Sequence, residues 1–172
     1  MKYVSDSFLT EPTRCWEISP ETWRLIVDTN VNGFFFMARC AAPLMIRARW
    51  GRIINISVSR ETMRRRGFSP YGPSKAALES ETIVWSQELA GTGVTVNALL
   101  PGGATRTGMV PDGVSDEVRS RLLDPEVVVP PLLWLISKDA DPITGMRIVA
   151  NQWRADLSAR EAAQAAAEPA GC

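Results

Sequence analysis

The chain has 172 residues, 45% of them apolar, with 19 Lys plus Arg against 19 Asp plus Glu and no histidine. That length and apolar content suit one folded domain with a core, and the charge balance excludes the broad basic surface that nucleic acid demands. The lack of histidine removes His-based triads, His general bases and His metal ligands together.

Arg64-Arg65-Arg66 is the one local basic run and reads as a solvated loop. Cysteines 15, 40 and 172 are unpatterned, so neither a metal site nor a disulfide scaffold is expected, and a cytoplasmic location fits. The longest apolar run, Val127 to Ile136, contains two prolines and is too short to span a bilayer. The N-terminus, MKYVSDSF, lacks the apolar stretch of a signal peptide.

Residues 1–18 read as irregular. Ser19-Pro20-Glu21 is a helix start: serine can cap, proline suits the first turn and glutamate favours the positive end of the helix dipole. A long helix follows to about Arg49, with Gly33 and Pro43 weakening or kinking it. Arg52 to Ser57 is short, β-branched and apolar, as buried strands are. Residues 71–90 read as a helix with Leu78, Trp85 and Leu89 on one face, ended by Gly91 and Gly93. Val94 to Leu100 is a second strand, stopped by Pro101-Gly102-Gly103. A polar loop with a short helix fills 104–123, residues 130–138 form another helix, and Met146 to Ala150 a third strand. The Ala-rich tail from Arg154 is expected to be a frayed helix. Helix–strand alternation predicts an α/β fold with three parallel strands in the order 52–57, 94–100, 146–150.

The chemistry gathers around Tyr71-Gly72-Pro73-Ser74-Lys75. Residues four apart share a helix face. A free phenol has a pKa of about 10, and a neighbouring ammonium is expected to lower it, making the pair a proton exchanger for an alcohol or carbonyl. Strands ending in Asn55-Ile56-Ser57-Val58-Ser59 and Asn97 to Gly102 flank the pair. In a parallel sheet both open on the same ligand-binding edge. A serine hydroxyl there could polarise a substrate oxygen.

The ordered set Asn30-Val31-Asn32-Gly33, Ile53 to Ser57, Tyr71 and Lys75, Asn97 to Gly102, Thr107-Gly108-Met109 and Thr144-Gly145 resembles the classical short-chain dehydrogenase/reductase family over roughly residues 16 to 150. The resemblance implies a partial Rossmann-like doubly wound parallel sheet. It also implies an NAD(P)-dependent oxidoreductase moving a hydride between nicotinamide and a carbonyl or alcohol substrate. Tyr71 matches the acid/base, Lys75 the residue that tunes it and holds the nicotinamide ribose, and Asn30 the asparagine of a proton-relay water. Pro101, Gly102 and Thr107 match cofactor contacts. The family's usual serine position falls on Val58, so Ser59 is preferred over Ser57 as the catalytic serine. The helices at 22–49 and 71–90 match a subunit interface, which implies a homo-oligomer.

The family's Thr-Gly-x-x-x-Gly-x-Gly turn, which receives the cofactor pyrophosphate on backbone N–H groups, does not occur in this sequence. Residues 1–153 therefore read as an incomplete domain of this type, with 154–172 as a tail. The strand at 52–57 is expected to leave an apolar edge open, and the choice between NAD and NADP is not legible. A second reading follows: a truncated, catalytically silent homologue that acts through subunit association.

Overall fold

A computed structural model describes residues 14–110 and 112–171. Helix α1 (Pro20–Val27) starts as its sequence dictates: Ser19 caps it by accepting from the Thr22 N–H, and Pro20 opens the first turn. Residues Asp28–Asn32 form a π-turn, and α2 (Gly33–Ala48) continues from it, with Pro43 inside α2 without ending it. The irregularity expected at Gly33 and Pro43 therefore lies just ahead of Gly33. It falls on the segment that carries Asn30, and π-turns inside helices often mark functional positions.

Strand β1 (Gly51–Ile56), the short helix α3 (Arg60–Arg64), helix α4 (Tyr71–Glu88) and strand β2 (Val94–Leu100) come next. They are followed by α5 (Asp116–Ser120), α6 (Val129–Leu135), β3 (Met146–Val149), α7 (Ala159–Ala166) and β4 (Ala167–Pro169). The sheet order is β1-β2-β3-β4. The first three strands are parallel, with Ile53 beside Val96, Ile56 beside Leu99 and Leu99 beside Ile148, as the alternation predicted.

Every residue of β2 is buried, because both faces of the sheet are covered. On one face Val94 and Val96 pack with Leu89, Met45 and Trp85 from α4 and α2. On the other, Leu99 and Ile148 pack with Trp134, Leu135, Ala163 and Ala166. Trp134 and Trp153 are a packing pair, ring centroids 6.0 Å apart. Among the described residues no helix is long and apolar enough to cross a membrane.

The tail departs from expectation. Instead of fraying, α7 is held by a reciprocal capping box between Ser158 and Glu161, which satisfies two N-terminal donors at once. Its alanines make a flat face, and Ala162, Ala163 and Ala166 are buried. The chain then forms β4, antiparallel to β3, so the sheet has a fourth strand that the sequence reading did not contain. The reason is tertiary: β3 has a free edge, and Arg60 reaches across to donate to the Glu168 carboxylate and to the carbonyls of Pro169 and Gly171.

The other end of the sheet is open as expected. β1 pairs only with β2 among the described residues, and Ile56 is 48% exposed. No residue of α2 is buried, and Phe36 and Met37 stand 58% and 73% exposed.

Candidate active site

Tyr71 is the first residue of α4, and Lys75 follows one turn later, 8% exposed. The Lys75 ammonium donates to the Ile56 carbonyl at 2.8 Å, which ties α4 to the end of β1. It also lies over two ring faces, 5.2 Å from the Phe34 centroid and 5.8 Å from that of Tyr71. An ammonium has three donors, so two remain after the bond to Ile56.

Burial pushes the Lys75 pKa down to about 8 and the Tyr71 pKa up from its ordinary value. The expected lowering of the tyrosine is therefore not what this protein shows. In a dry site both groups prefer their neutral forms, and desolvation outweighs the ammonium's attraction for a phenolate.

The π-turn carries Asn30 against α4. Its side-chain amide donates to the Ser74 hydroxyl at 3.1 Å, and Ser74 in turn donates to the Tyr71 carbonyl at 2.7 Å. Asn30 is thus joined to the turn that holds Tyr71.

The two serines have different surroundings. Ser57 is 1% exposed, and its hydroxyl donates to the buried Glu79 carboxylate. Ser59 caps α3, accepting from the Thr62 N–H at 3.2 Å, and shares a 3.0 Å hydrogen bond with the Thr62 hydroxyl. Only Ser59 lines the open cleft, of about 360 Å³, at the carboxyl ends of the strands, together with Arg60, Leu100, Gly102, Arg147 and Asn151. Tyr71, Lys75, Asn30 and Thr107 do not line it. The cleft and the Tyr71–Lys75 pair meet at the segment 56–59, through the Ile56 carbonyl.

Gly102 adopts φ +89°, and a Cβ there would lie 1.9 Å from the Asn151 side-chain oxygen, so only glycine fits. Asn151 holds this turn twice: its backbone N–H donates to the Pro101 carbonyl at 3.0 Å and its amide to the Gly102 carbonyl at 3.2 Å. Thr107 is exposed on the following loop and accepts from the Met109 N–H at 3.3 Å. Asn97, quoted above as part of a family motif, stitches β2 to β3, donating to the Ile143 carbonyl and accepting from the Met146 N–H.

Sequence reasoning missed a buried polar network under the cleft. Arg147 is 1% exposed, donates to the Val58 carbonyl at 2.9 Å and lies 3.8 Å from Glu79. Glu79 also accepts from the Gly171 N–H at 3.1 Å, so the tail, α4, β3 and the 57–59 segment share one cluster. Two signals were available: an arginine in the middle of an apolar strand, and Glu79 four residues beyond Lys75 on one helix face.

The parallel sheet, the Tyr71–Lys75 pair and the glycine turn after β2 together form part of a Rossmann-like fold. The short chain dehydrogenase family model matches residues 9–117, and the chain belongs to that family. It is 33% identical over 156 residues to an acetoacetyl-CoA reductase of Rhizobium meliloti, covering 86% of this chain and 65% of that protein. It is 29% identical over 152 residues to a 3-oxoacyl-(acyl-carrier-protein) reductase of Thermotoga maritima, covering 84% and 62%. A solved 3-oxoacyl-(acyl-carrier protein) reductase from Brucella melitensis superposes with TM-score 0.68 at 33% identity, over 80% of this chain and 54% of that one. A structure from Beutenbergia cavernae with bound NADP gives TM-score 0.72 at 27% identity, over 80% and 59%. The chain thus spans about three-fifths of the length of these relatives.

Proposed function

We propose that this chain carries the proton-transfer half of an NAD(P)-dependent oxidoreductase that interconverts a carbonyl and an alcohol, with Tyr71 as the acid/base. The observation that carries this reading is the Lys75 ammonium, pinned at 2.8 Å to the end of β1 and one helical turn from Tyr71. Tyr71, protonated at neutral pH and with its pKa raised further by burial, is in the form that donates to a carbonyl oxygen. The two free donors of Lys75 suit the hydroxyls of a nicotinamide ribose. Asn30, held by Ser74, orients a relay water, and Ser59 polarises the substrate oxygen from the cleft. Pro101, Gly102 and Thr107 contact the nicotinamide end. The bound cofactor, NAD or NADP, supplies or accepts the hydride. No residues in this sequence match the family's pyrophosphate turn, so the fit covers the nicotinamide end alone. A cytoplasmic location accords with the unpatterned cysteines.

The test is a reductase assay on a panel of ketones, using the chain both alone and in a longer form that includes a glycine-rich first half. In the active form Tyr71→Phe should reduce kcat by about 10²-fold or more, and unchanged turnover would remove Tyr71 from the mechanism.

A second reading, association without catalysis, is favoured by the exposed Phe36 and Met37 of α2 and by the open edge of β1. It places a homo-oligomer contact on the helices at 22–49 and 71–90. Light scattering checks it: Phe36→Lys should shift an oligomer towards monomer, and a monomeric parent chain would exclude it.

A further inference from the structure

Arg147 lies within β3 almost entirely buried, yet only part of its guanidinium is satisfied. Nη2 donates to the Val58 carbonyl, whereas Nε and Nη1 are buried and have no hydrogen-bond partner among the described residues. The neighbouring carboxylates stand beyond hydrogen-bond reach, Glu79 at 3.8 Å and Glu168 at 3.7 Å. Unmade hydrogen bonds on a buried charge are costly. Arg147 also lines the cleft, with Arg60, Glu61, Gln152 and Glu168 around it.

The charges there are arranged around one carboxylate. Glu79, fully buried, already accepts from the Ser57 hydroxyl and the Gly171 N–H and offsets one arginine from below. Glu168 stands directly opposite Arg147 in the β3–β4 pairing, so its Oε2 faces two guanidinium groups, Arg60 at 2.7 Å and Arg147 at 3.7 Å. The exposed Glu61 opposes an anion from the rim, where solvent screens it.

The segment that supplies Glu168 is lightly held. None of residues 167–171 is buried, whereas Ala162, Ala163 and Ala166 of the preceding helix α7 belong to the core. Apart from Ala167, which packs on the edge of the core, the hold is polar. It consists of the short pairing with β3, the three donations from Arg60, the Gly171 N–H to Glu79 and the Ala170 N–H to the Gly145 carbonyl. A segment with so little buried apolar surface can open locally while the core stays closed.

We propose that Arg60 and Arg147 form a carboxylate site in the cleft, that Glu168 fills it as an internal ligand, and that a small free carboxylate takes its place and releases β4. A planar guanidinium pairs with carboxylate oxygens two at a time. Glu168 is tethered to its strand and leaves Nε and Nη1 of Arg147 unpaired; a free carboxylate has no such tether and can close the gap. A neutral ligand cannot replace the charge that Glu168 places against the two arginines. The site is separate from the chemistry proposed for Tyr71, which does not line the cleft.

The test needs neither cofactor nor turnover. Succinate and its neutral analogue succinamide are titrated by calorimetry into the full 172-residue chain and into Glu168→Gln, with ionic strength held constant by sodium chloride. Glu168→Gln should bind succinate about fivefold or more tightly than the parent, because its internal competitor has lost its charge. Succinamide should bind neither chain measurably. In the parent, saturating succinate should quicken amide hydrogen exchange across 167–171 by about tenfold or more and leave β2 unchanged. No succinate binding by either chain, equal succinate affinity in the two, equal binding of succinamide, or unchanged exchange in the tail would each overturn the proposal. So would tighter binding of inorganic phosphate than of succinate. Exchange in the parent chain, with succinate against succinamide, decides the matter even if the variant does not fold.

Discussion

Lys75 donates its ammonium to the carbonyl of Ile56 at 2.8 Å, so the helix that begins at Tyr71 is tied to the last residue of the edge strand. The bond places a charged group in a largely dry site, and its consequence is a pH dependence of stability.

Burial lowers the Lys75 pKa to about 8, whereas an unfolded lysine titrates near 10.5. Below pH 8 both states are protonated and the full cost of burying the charge is felt. Between about 8 and 10 the unfolded chain holds more protons, so this group makes stability climb with pH. Above about 10 the raised pKa of Tyr71 acts in the opposite direction, because the folded state then retains the proton. Urea midpoints from pH 7 to 10 should therefore rise for the parent relative to Lys75→Met. A constant difference between the two would show that Lys75 is not desolvated.

The two serines should separate in mutagenesis. Ser57→Ala strips a hydrogen bond from buried Glu79 and should cost about 1–3 kcal/mol in stability. Ser59→Ala removes the cap of a five-residue helix and should cost about 1 kcal/mol or less. In an active form of the protein, Ser59→Ala should lower kcat more than Ser57→Ala does. The reverse order would return the catalytic role to Ser57.

Gly102→Ala meets two obstacles, a positive φ and the Asn151 side-chain oxygen. Denaturant unfolding should show a loss of about 1–3 kcal/mol from backbone strain alone, with a further loss from the overlap. Adding Asn151→Gly should restore the second part and leave the first. Full rescue by the double variant would mean that the backbone at Gly102 is not strained.

The 172-residue chain alone should bind NADH and NADPH weakly. Tyr71 and Lys75 address only the nicotinamide ribose, while affinity for a dinucleotide draws on its phosphates at backbone N–H groups that this sequence lacks. Fluorescence titration should give no saturation in the micromolar range. Micromolar binding would show that another part of the chain holds the phosphates.

Local pattern in the sequence was enough for the parallel strands and their order, for the helix start at Ser19-Pro20 and for the placing of Tyr71 and Lys75 on one turn. These features depend on contacts within a few residues: strand periodicity, capping geometry and the four-residue helical repeat. The sign of the tyrosine's pKa shift did not follow, because spacing reports the distance between two groups and not the water around them. Lys75 and Tyr71 both lie in a desolvated site assembled by β1, α2 and α4. The fourth strand was equally hidden. Ala167–Pro169 has no strand signature of its own and becomes β4 only because β3 offers a free edge and Arg60, far away in sequence, clamps the tail. Nor could the sequence choose between the serines. Ser57 and Ser59 are alike in type and differ in what tertiary packing brings to each: for Ser57 the buried Glu79, and for Ser59 the open cleft.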